Sequence, residues 1–247
     1  MRQETLSIIL SAREKKIPIA LVTDLASGEQ AVLTSSSDLP GHDETNTLIL
    51  DHREEEAVYT ALTDDSSLTL QNEHDSTRKL FVQIFNPPLR MIIVGAVHIA
   101  QPLAPMAQLA GYEVIIIDPR QSFATDARFP GVSLIDDWPD DALDGLNPDR
   151  RTAIVTLTHD PKLDDPALLV ALRSPAFYIG CLGSKRTHAK RVQRLTDVGF
   201  TEEDINRLDA PVGLAIGAKS PAEIALSIMA EITRVRRRAA PLVRATA

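Results

Sequence analysis

The sequence has 247 residues, a length that fits one large domain or two modest ones. Its 34 Asp and Glu residues outnumber its 26 Lys and Arg residues, and the resulting formal charge of −8 disfavours a nucleic-acid partner. With 44% hydrophobic residues, one cysteine (Cys181) and no apolar run long enough to span a membrane, the composition predicts a folded cytoplasmic protein without disulfide bonds, a multi-cysteine metal site or a membrane partner.

The first part of the chain predicts a small α+β domain at residues 1–86. Two pairs of short alternating runs there are typical of β-hairpins, 17–25 with 29–35 and 67–73 with 79–85. Residues 52–61 predict a short helix. The sequence Asn86-Pro87-Pro88 predicts a linker, because prolines neither continue a helix nor donate to a central strand.

After the linker, short β-branched runs alternate with amphipathic stretches. Strands are predicted at 91–95, 113–118, 153–158, 176–180 and 211–216, and helices at 98–110, 166–173, 184–198 and 221–236. Apolar strands alternating with helices indicate a parallel sheet covered on both faces. The sequence therefore predicts an α/β protein in which a Rossmann-like, doubly wound parallel sheet at 89–247 follows the small α+β domain.

Ligands of doubly wound sheets bind beyond the carboxyl ends of the strands, which makes the first strand–helix turn a candidate site. Residues 95–100 stand in the place of a G-x-G-x-x-G/A dinucleotide fingerprint. Gly95 supplies the tight turn, but Val97 replaces the glycine that lets the backbone approach a pyrophosphate. Asp118, 23 residues after Gly95, stands where a ribose-binding acid lies in dinucleotide enzymes. Together these residues predict the fold of an NAD(P) protein but disfavour ordinary NAD(P) binding.

The segment 180–188 predicts an anion site at a helix start. Gly180 and Gly183 allow a tight turn, Ser184 is a suitable helix cap, and Lys185 and Arg186 follow it. Free backbone N–H groups, the helix dipole and two cations suit a phosphate group. A capped helix with a solvated basic face explains the same residues equally well.

A capping box is predicted at residues 220–223, which leaves Gly217 and Lys219 just before it as possible ligand contacts. His159 and Asp160 follow the third strand and could act as a general acid–base pair, although turn geometry before a proline is the favoured interpretation.

Arg120 and Arg128 follow the second strand of this part of the chain. Each is a candidate anion contact or an ordinary turn residue.

Taken together, these segments resemble the xanthine dehydrogenase accessory protein family (XdhC/CoxI). The segments that carry the resemblance are GAVHIA (95–100), Asp118-Pro-Arg120, RFP (128–130), THD (158–160), YIGCLGS (178–184) and residues 211–232, in the order and spacing of the family. The resemblance implies a chaperone, rather than an enzyme, that binds molybdenum cofactor transiently and helps insert its sulfurated form into the apoenzyme of a molybdenum hydroxylase. It also implies a homodimer, with a cysteine desulfurase as a candidate second partner.

The strand-end residues and the resemblance together give a set of expected cofactor contacts at the carboxyl edge of the sheet: Gly95, Val97, His98, Asp118, Arg120, Arg128, His159, Asp160, Gly180, Gly183, Ser184, Lys185, Arg186, Gly217 and Lys219. No catalytic set or metal site is expected. Residues 1–86 lack the Gly-Gly-Cys motif of many family members, so Cys181 is the only thiol that could replace it, although a small buried hydrophobe is its favoured interpretation. Two alternatives stay open: an NAD(P)-dependent oxidoreductase and a cofactor-free adaptor of the hydroxylase.

Overall fold

The computed structural model describes residues 3–34, 46–71 and 78–238. They divide into two compact units, one up to Pro87 and the other from Pro88 to Arg238. The predicted strand ends at 35 and 72–73 and the last stretch of the predicted second domain, 239–247, lie outside these residues. Within the described ranges, every helix is too short or too polar to cross a membrane.

In its described residues, the first unit is an antiparallel sheet with two helices. Its elements are α1 (Gln3–Glu14), β1 (Ile19–Asp24), β2 (Gln30–Thr34), α2 (His52–Asp64), β3 (Leu68–Gln71) and β4 (Lys79–Phe85). The strand order is β2-β1-β4-β3 and all neighbours are antiparallel. Both predicted hairpins and the predicted helix are confirmed, whereas α1 was missed because its buried stripe consists only of Thr5, Ile9 and Ala12.

The second unit is a six-stranded parallel sheet flanked by helices. Its elements are β5 (Leu89–Val94), α3 (Ala100–Leu109), β6 (Tyr112–Ile117), β7 (Ser133–Ile135), α4 (Pro139–Leu146), β8 (Thr152–Thr156), α5 (Pro161–Arg173), β9 (Tyr178–Cys181), α6 (Lys185–Asp197), α7 (Glu202–Ile205), β10 (Leu208–Asp209) and α8 (Pro221–Arg238). The order β10-β9-β8-β5-β6-β7 is that of a Rossmann fold, with its reversal between β5 and β8. The predicted fold class is therefore confirmed.

Two apolar cores lie on opposite faces of this sheet. In the central strand β5, Met91 and Ile93 belong to one core and Ile92 and Val94 to the other, as the alternation of side chains along a strand requires. Helices α3 and α8 supply the first core, and helices α4, α5 and α6 supply the second. Because both faces are covered, β5 is buried along its whole length, which explains the apolar run from Met91 to Val94.

The predicted strand at 211–216 is wrong. This segment is a loop between β10 and α8, and the sixth strand is the two-residue β10 before it. The loop is held by hydrogen bonds from Val212 N to Cys181 O (3.0 Å), from Gly213 N to the Glu231 carboxylate (2.7 Å) and from Leu214 N to Ser227 O (3.1 Å). Gly213, with a φ of +94°, gives the backbone a conformation that a strand does not have.

Candidate functional site

The turns after β5 and β8 meet where the strand order reverses. Gly95 has a φ of +112°, and a Cβ atom there would lie only 2.7 Å from Thr158 Cγ2. Glycine at this position therefore allows both the backbone conformation and the close approach of the two turns. In Rossmann folds this reversal point is where ligands bind, so the candidate site begins here.

The turn after β5 is closed by the carboxylate of Asp118. This side chain is fully buried, and its Oδ2 accepts hydrogen bonds from Ala96 N (2.8 Å) and from Arg120 Nη2 (2.7 Å). Its Oδ1 accepts hydrogen bonds from Arg120 N (3.0 Å) and Nε (2.8 Å). Since a carboxylate offers about four acceptor positions, no capacity is left for a ribose hydroxyl. Asp118 is thus a structural residue of this turn rather than an open ligand contact.

The ionisation of Asp118 follows from these contacts. Burial by itself raises the pKa of this carboxyl group, but the hydrogen bonds from Arg120 and from the Ala96 and Arg120 N–H groups outweigh it and hold the pKa below its ordinary value. In return, the bond to Asp118 raises the pKa of Arg120. The pair is therefore charged at neutral pH and is a bidentate ion pair.

Arg128 also stabilises the turn after β5, through hydrogen bonds from its guanidinium. Its Nη1 donates to Ala96 O (2.8 Å) and to Phe123 O (2.6 Å). The Phe123 ring lies 4.4 Å from the Arg120 guanidinium carbon and 5.9 Å from that of Arg128, within cation–π range of both. The two predicted anion contacts Arg120 and Arg128 thus hold the protein's own turn together.

The remaining candidates of the first turn differ in exposure. Val97 is half-buried and packs against the core formed by α3 and α8, so its side chain fills the space that a glycine would leave open. His98 is exposed. The α3 helix begins without a side-chain cap at Ile99, in contrast to the Asp160 cap of α5 and the Ser184 cap of α6.

The turn after β8 carries His159 and Asp160. The Asp160 carboxylate accepts a hydrogen bond from Lys162 N (3.0 Å) and caps α5, which is the turn interpretation of this motif. His159 is exposed and has a φ of +62°, a left-handed conformation that costs energy for any residue with a Cβ atom. Strained residues of this kind concentrate at functional sites, so His159 remains a candidate ligand contact.

After β9, the structure has the predicted helix start at Ser184 but does not place Gly180 in the turn. Gly183, with a φ of +149°, and the Ser184 cap lie at the start of α6, where Ser184 Oγ accepts from Thr187 N (3.2 Å). Lys185 and Arg186 are exposed in its first turn. Gly180, which the sequence places in the turn, instead lies inside β9, where a Cβ atom would come within 2.7 Å of Tyr178 Oη. Gly180 is a packing residue, because β9 continues to Cys181.

Sequence reasoning missed a buried polar cluster between this turn and the turn after β8. Asp164 Oδ1 accepts a hydrogen bond from Thr158 Oγ1 (2.6 Å), and Asp164 Oδ2 lies 3.5 Å from Arg191 Nη2. The side chains of Asp164 and Arg191 are 1% and 3% exposed. A signal was present, because helical spacing places Arg191 on the same face as the apolar Leu195 and Asp164 on the same face as Leu168.

This cluster alters the ionisation of its members. Burial raises the pKa of Asp164 above its ordinary value, against the opposing effects of the Thr158 hydrogen bond and the Arg191 charge. Burial, assisted by the Arg191 charge, lowers the pKa of His188. The fully buried Cys181 has a pKa raised to about 11 by burial, so its thiol is protonated at neutral pH.

The loop before α8 places the last two candidates, Gly217 and Lys219, on the surface. The predicted capping box is confirmed: Glu223 N donates to Ser220 Oγ (3.3 Å), and the Glu223 carboxylate accepts from Ser220 N (2.8 Å) and from Lys219 N (2.8 Å). A helix start accounts for these contacts.

Behind that loop, Tyr178 Oη donates to the Glu231 carboxylate (2.8 Å), the same group that holds Gly213 N. Burial, with the Glu231 charge, raises the pKa of Tyr178, which therefore stays a neutral donor. The loop is thus anchored to both β9 and α8.

Comparison with known proteins identifies the family. The model of the XdhC Rossmann domain matches residues 91–232. Over 152 residues, 62% of this chain and 42% of the relative, the sequence is 34% identical to the molybdenum cofactor insertion chaperone PaoD of Escherichia coli. Over 174 residues, 70% of this chain and 51% of the relative, it is 35% identical to a Bacillus subtilis protein described as a probable xanthine dehydrogenase subunit.

A solved structure extends the similarity beyond the Rossmann domain. The crystal structure of a protein described as a xanthine dehydrogenase from Bacillus halodurans is 25% identical, has a TM-score of 0.65, and is matched over 96% of this chain and 65% of that one. The chain spans about half the length of the two curated relatives, 42% and 51%. The family match covers more than half of the sequence and coincides with the sheet that carries the turns described above. The chain therefore belongs to the XdhC family.

Proposed function

We propose that this protein binds molybdenum cofactor transiently and helps insert it into the apoenzyme of a xanthine dehydrogenase-type molybdenum hydroxylase. The family match and the similarity to the PaoD insertion chaperone support a role in hydroxylase maturation. The observation that favours a cofactor carrier over an NAD(P) oxidoreductase is the state of Asp118, whose acceptor positions are filled by Ala96 and Arg120. A nucleotide ribose would have to displace hydrogen bonds to a fully buried carboxylate to bind there.

The cofactor contacts are proposed at the carboxyl edge of the sheet. The exposed candidates His98, His159, Lys185, Arg186 and Lys219 supply side chains that face solvent. The phosphate of the cofactor is assigned to the start of α6, where N–H groups, the helix dipole and two cations coincide. Neither α6 nor α3 has an acidic residue in its first turn, whereas α2, α4, α5 and α8 each have at least one; of the two, only α6 adds cations there.

The cargo is proposed to be the sulfurated cofactor, with a cysteine desulfurase as the source of sulfur and a homodimer as the assembled form. Cys181 is not assigned the sulfur-carrier role, because its thiol is fully buried and its pKa is raised to about 11. Sulfur transfer needs an exposed thiolate. Light scattering at micromolar concentration tests the homodimer, which a monomeric mass would contradict.

Deletion of the gene tests the proposed function directly. In a deletion strain the hydroxylase is expected to fold and to assemble its other cofactors but to lack an active molybdenum centre. Metal analysis of the purified hydroxylase measures this, and reintroduction of the gene is the control. Normal molybdenum occupancy and activity in the deletion strain would refute the proposal.

Titration of the purified protein distinguishes the alternatives. Molybdenum cofactor is expected to bind, and NAD(P)H is expected not to bind at comparable concentration. Tight NAD(P)H binding would favour the oxidoreductase. Co-purification with the hydroxylase in the absence of cofactor binding would favour the adaptor.

Substitution at the start of α6 tests the phosphate assignment. Lys185→Ala or Arg186→Ala should weaken cofactor binding about ten- to a hundred-fold, since a charge-assisted contact contributes roughly 1.5–3 kcal/mol. Lys190→Ala, farther along the same helix, is the matched control and should bind normally. Equal loss from all three variants would indicate a diffuse basic surface instead of a site.

A further inference from the structure

Arg191 lies outside the predicted contacts, and its guanidinium lies beneath the turn that starts α6. Helix side chains lean toward the N-terminus, so Arg191 reaches back along the helix. Its Nη2 donates to Leu182 O (3.2 Å), and its Nη1 lies 3.9 Å from the position that a Cβ atom of Gly183 would take. Because residue 183 is a glycine, no side chain at this position covers the guanidinium.

Arg191 carries hydrogen-bonding capacity that the described residues do not use. Its Nε and Nη1 atoms are buried and have no hydrogen-bond partner among the described residues, and neither has Asp164 Oδ2, which is only ion-paired with Arg191 Nη2. Buried polar groups are nearly always hydrogen-bonded, and an unmade bond to a buried charge is costly. Asp118 and Arg120 show the contrast, because their ion pair fills the acceptor positions of its carboxylate.

The unused donors adjoin a second anion-binding feature. The α6 helix has 13 residues, its Ser184 cap accepts from Thr187 N, and Lys185 and Arg186 are exposed in its first turn. The backbone donors of the first turn and the Arg191 guanidinium therefore both lie at the start of α6. A group with several oxygen atoms and two negative charges matches this set of donors.

We infer that Arg191 is the buried anchor of a phosphate site at the start of α6, where a phosphate group replaces Asp164 as the principal partner of its guanidinium. The choice of a phosphate ester of the cofactor as the natural ligand rests on the proposed function. Binding of the phosphate group itself rests only on the arrangement of Gly183, Arg191 and the helix start. Asp164 competes with the anion in this scheme and holds Arg191 in the ligand-free protein through its charge.

Inorganic phosphate is the probe for this site. The full-length protein, purified without phosphate, is titrated by calorimetry at constant ionic strength. Arg191→Met, which keeps the length of the side chain but removes its charge, should weaken phosphate binding at least about tenfold. Arg194→Met is the matched control on the same helix, because the Arg194 guanidinium is paired with Asp165 outside the turn. Its phosphate affinity should be unchanged.

Asp164→Asn should change phosphate affinity in the opposite direction, so it tests the site even if the Arg191 variant does not fold. Removal of the competing carboxylate should tighten phosphate binding severalfold, and phosphate should raise the unfolding temperature of this variant more than that of the wild type. A purely structural ion pair would give a less stable variant without this phosphate dependence.

Three results would overturn the site: no phosphate binding by the wild type, equal affinity in the Arg191 and Arg194 variants, or unchanged or weaker affinity after Asp164→Asn. These titrations contain no cofactor and no hydroxylase. A failure of the proposed insertion function would therefore leave them unaffected, and a failure of the phosphate site would leave insertion to be tested by gene deletion.

Discussion

The turns after β5 and β9, on either side of the sheet's midpoint, differ in how far their buried polar groups are hydrogen-bonded. After β5, the Ala96 N–H and carbonyl groups are bonded to Asp118 and Arg128, and the Asp118 carboxylate is fully used. Near the turn after β9, Asp164 and Arg191 are equally buried but retain polar atoms without partners among the described residues. The first turn is closed by the protein itself, whereas the second retains capacity for a ligand.

This difference shows why the Rossmann fold alone does not identify a dinucleotide enzyme. The fold brings Gly95 and Asp118 to the positions of the dinucleotide motif. Arg120, however, donates hydrogen bonds to the Asp118 carboxylate, the group that would otherwise bind a ribose. Charge and unsatisfied donors are found instead two strands away in the sheet, at the start of α6. The proposed ligand site therefore rests on unused hydrogen-bonding capacity rather than on topology.

The largest effect is expected from Asp118→Asn, which breaks the closure of the first turn. The variant removes the charge that pairs with Arg120 and can place an amide N–H group against the Ala96 N–H, so the free energy of unfolding at pH 7 should fall by roughly 2–4 kcal/mol, less than for a fully buried pair because Arg120 is partly exposed to water. Urea unfolding measures this loss. Asp137→Asn, an exposed position on the same unit, is the control and should change stability little.

The pH dependence of the same variant sharpens the test. The folded-state pKa of Asp118 lies below its ordinary value of 3.8, so its stabilising contribution is present above the unfolded pKa and is lost as the pH falls through the folded-state pKa. The stability difference between wild type and Asp118→Asn should therefore be full at pH 7 and shrink below about pH 4. A difference that is constant down to acid pH would contradict the ion-pair explanation.

Gly95→Ala is expected to have the next largest effect, because it separates the turns after β5 and β8. The new Cβ atom would meet both an unfavourable φ and Thr158, at a combined cost of roughly 2–4 kcal/mol. Gly131→Ala, at a φ of +72° with nothing within 4 Å, isolates the backbone part of that cost. Thermal unfolding of both variants measures the difference, and equal losses would show that contact between the turns is unimportant.

The smallest effect is expected from His159→Gly. Relief of the left-handed conformation should outweigh the extra chain entropy of glycine by about 0.5 kcal/mol, so the variant should be slightly more stable. If His159 contacts the cofactor, transfer of cofactor to the apo-hydroxylase should nevertheless fall. Lys16→Gly, at a φ of +55° after α1, is the control. It should relieve backbone strain in the same way but leave cofactor transfer unchanged. Unchanged transfer in both variants would remove His159 from the site.

The sequence predicted the elements whose signal is local. Continuous apolar runs identified β5, β6, β8 and β9, and the capping signals at Ser184 and at Ser220 with Glu223 marked the starts of α6 and α8. The prediction failed at 211–216, where an apolar run with Pro211 and Gly213 became a loop. The carboxylate of Glu231, from a helix later in the chain, takes the Gly213 N–H that a strand would give to its neighbour.

What the sequence determined by itself is the fold class and the starts of the capped helices, because hydrophobic periodicity and helix caps act within a few residues along the chain. What only the tertiary structure decided is which polar groups at that edge are already used. Asp118 and Arg120 are close in sequence, but their closure of the Ala96 turn, like the meeting of Asp164 with Arg191, depends on contacts between distant segments. Burial converts those contacts into large energies, and burial is a property of the packed fold.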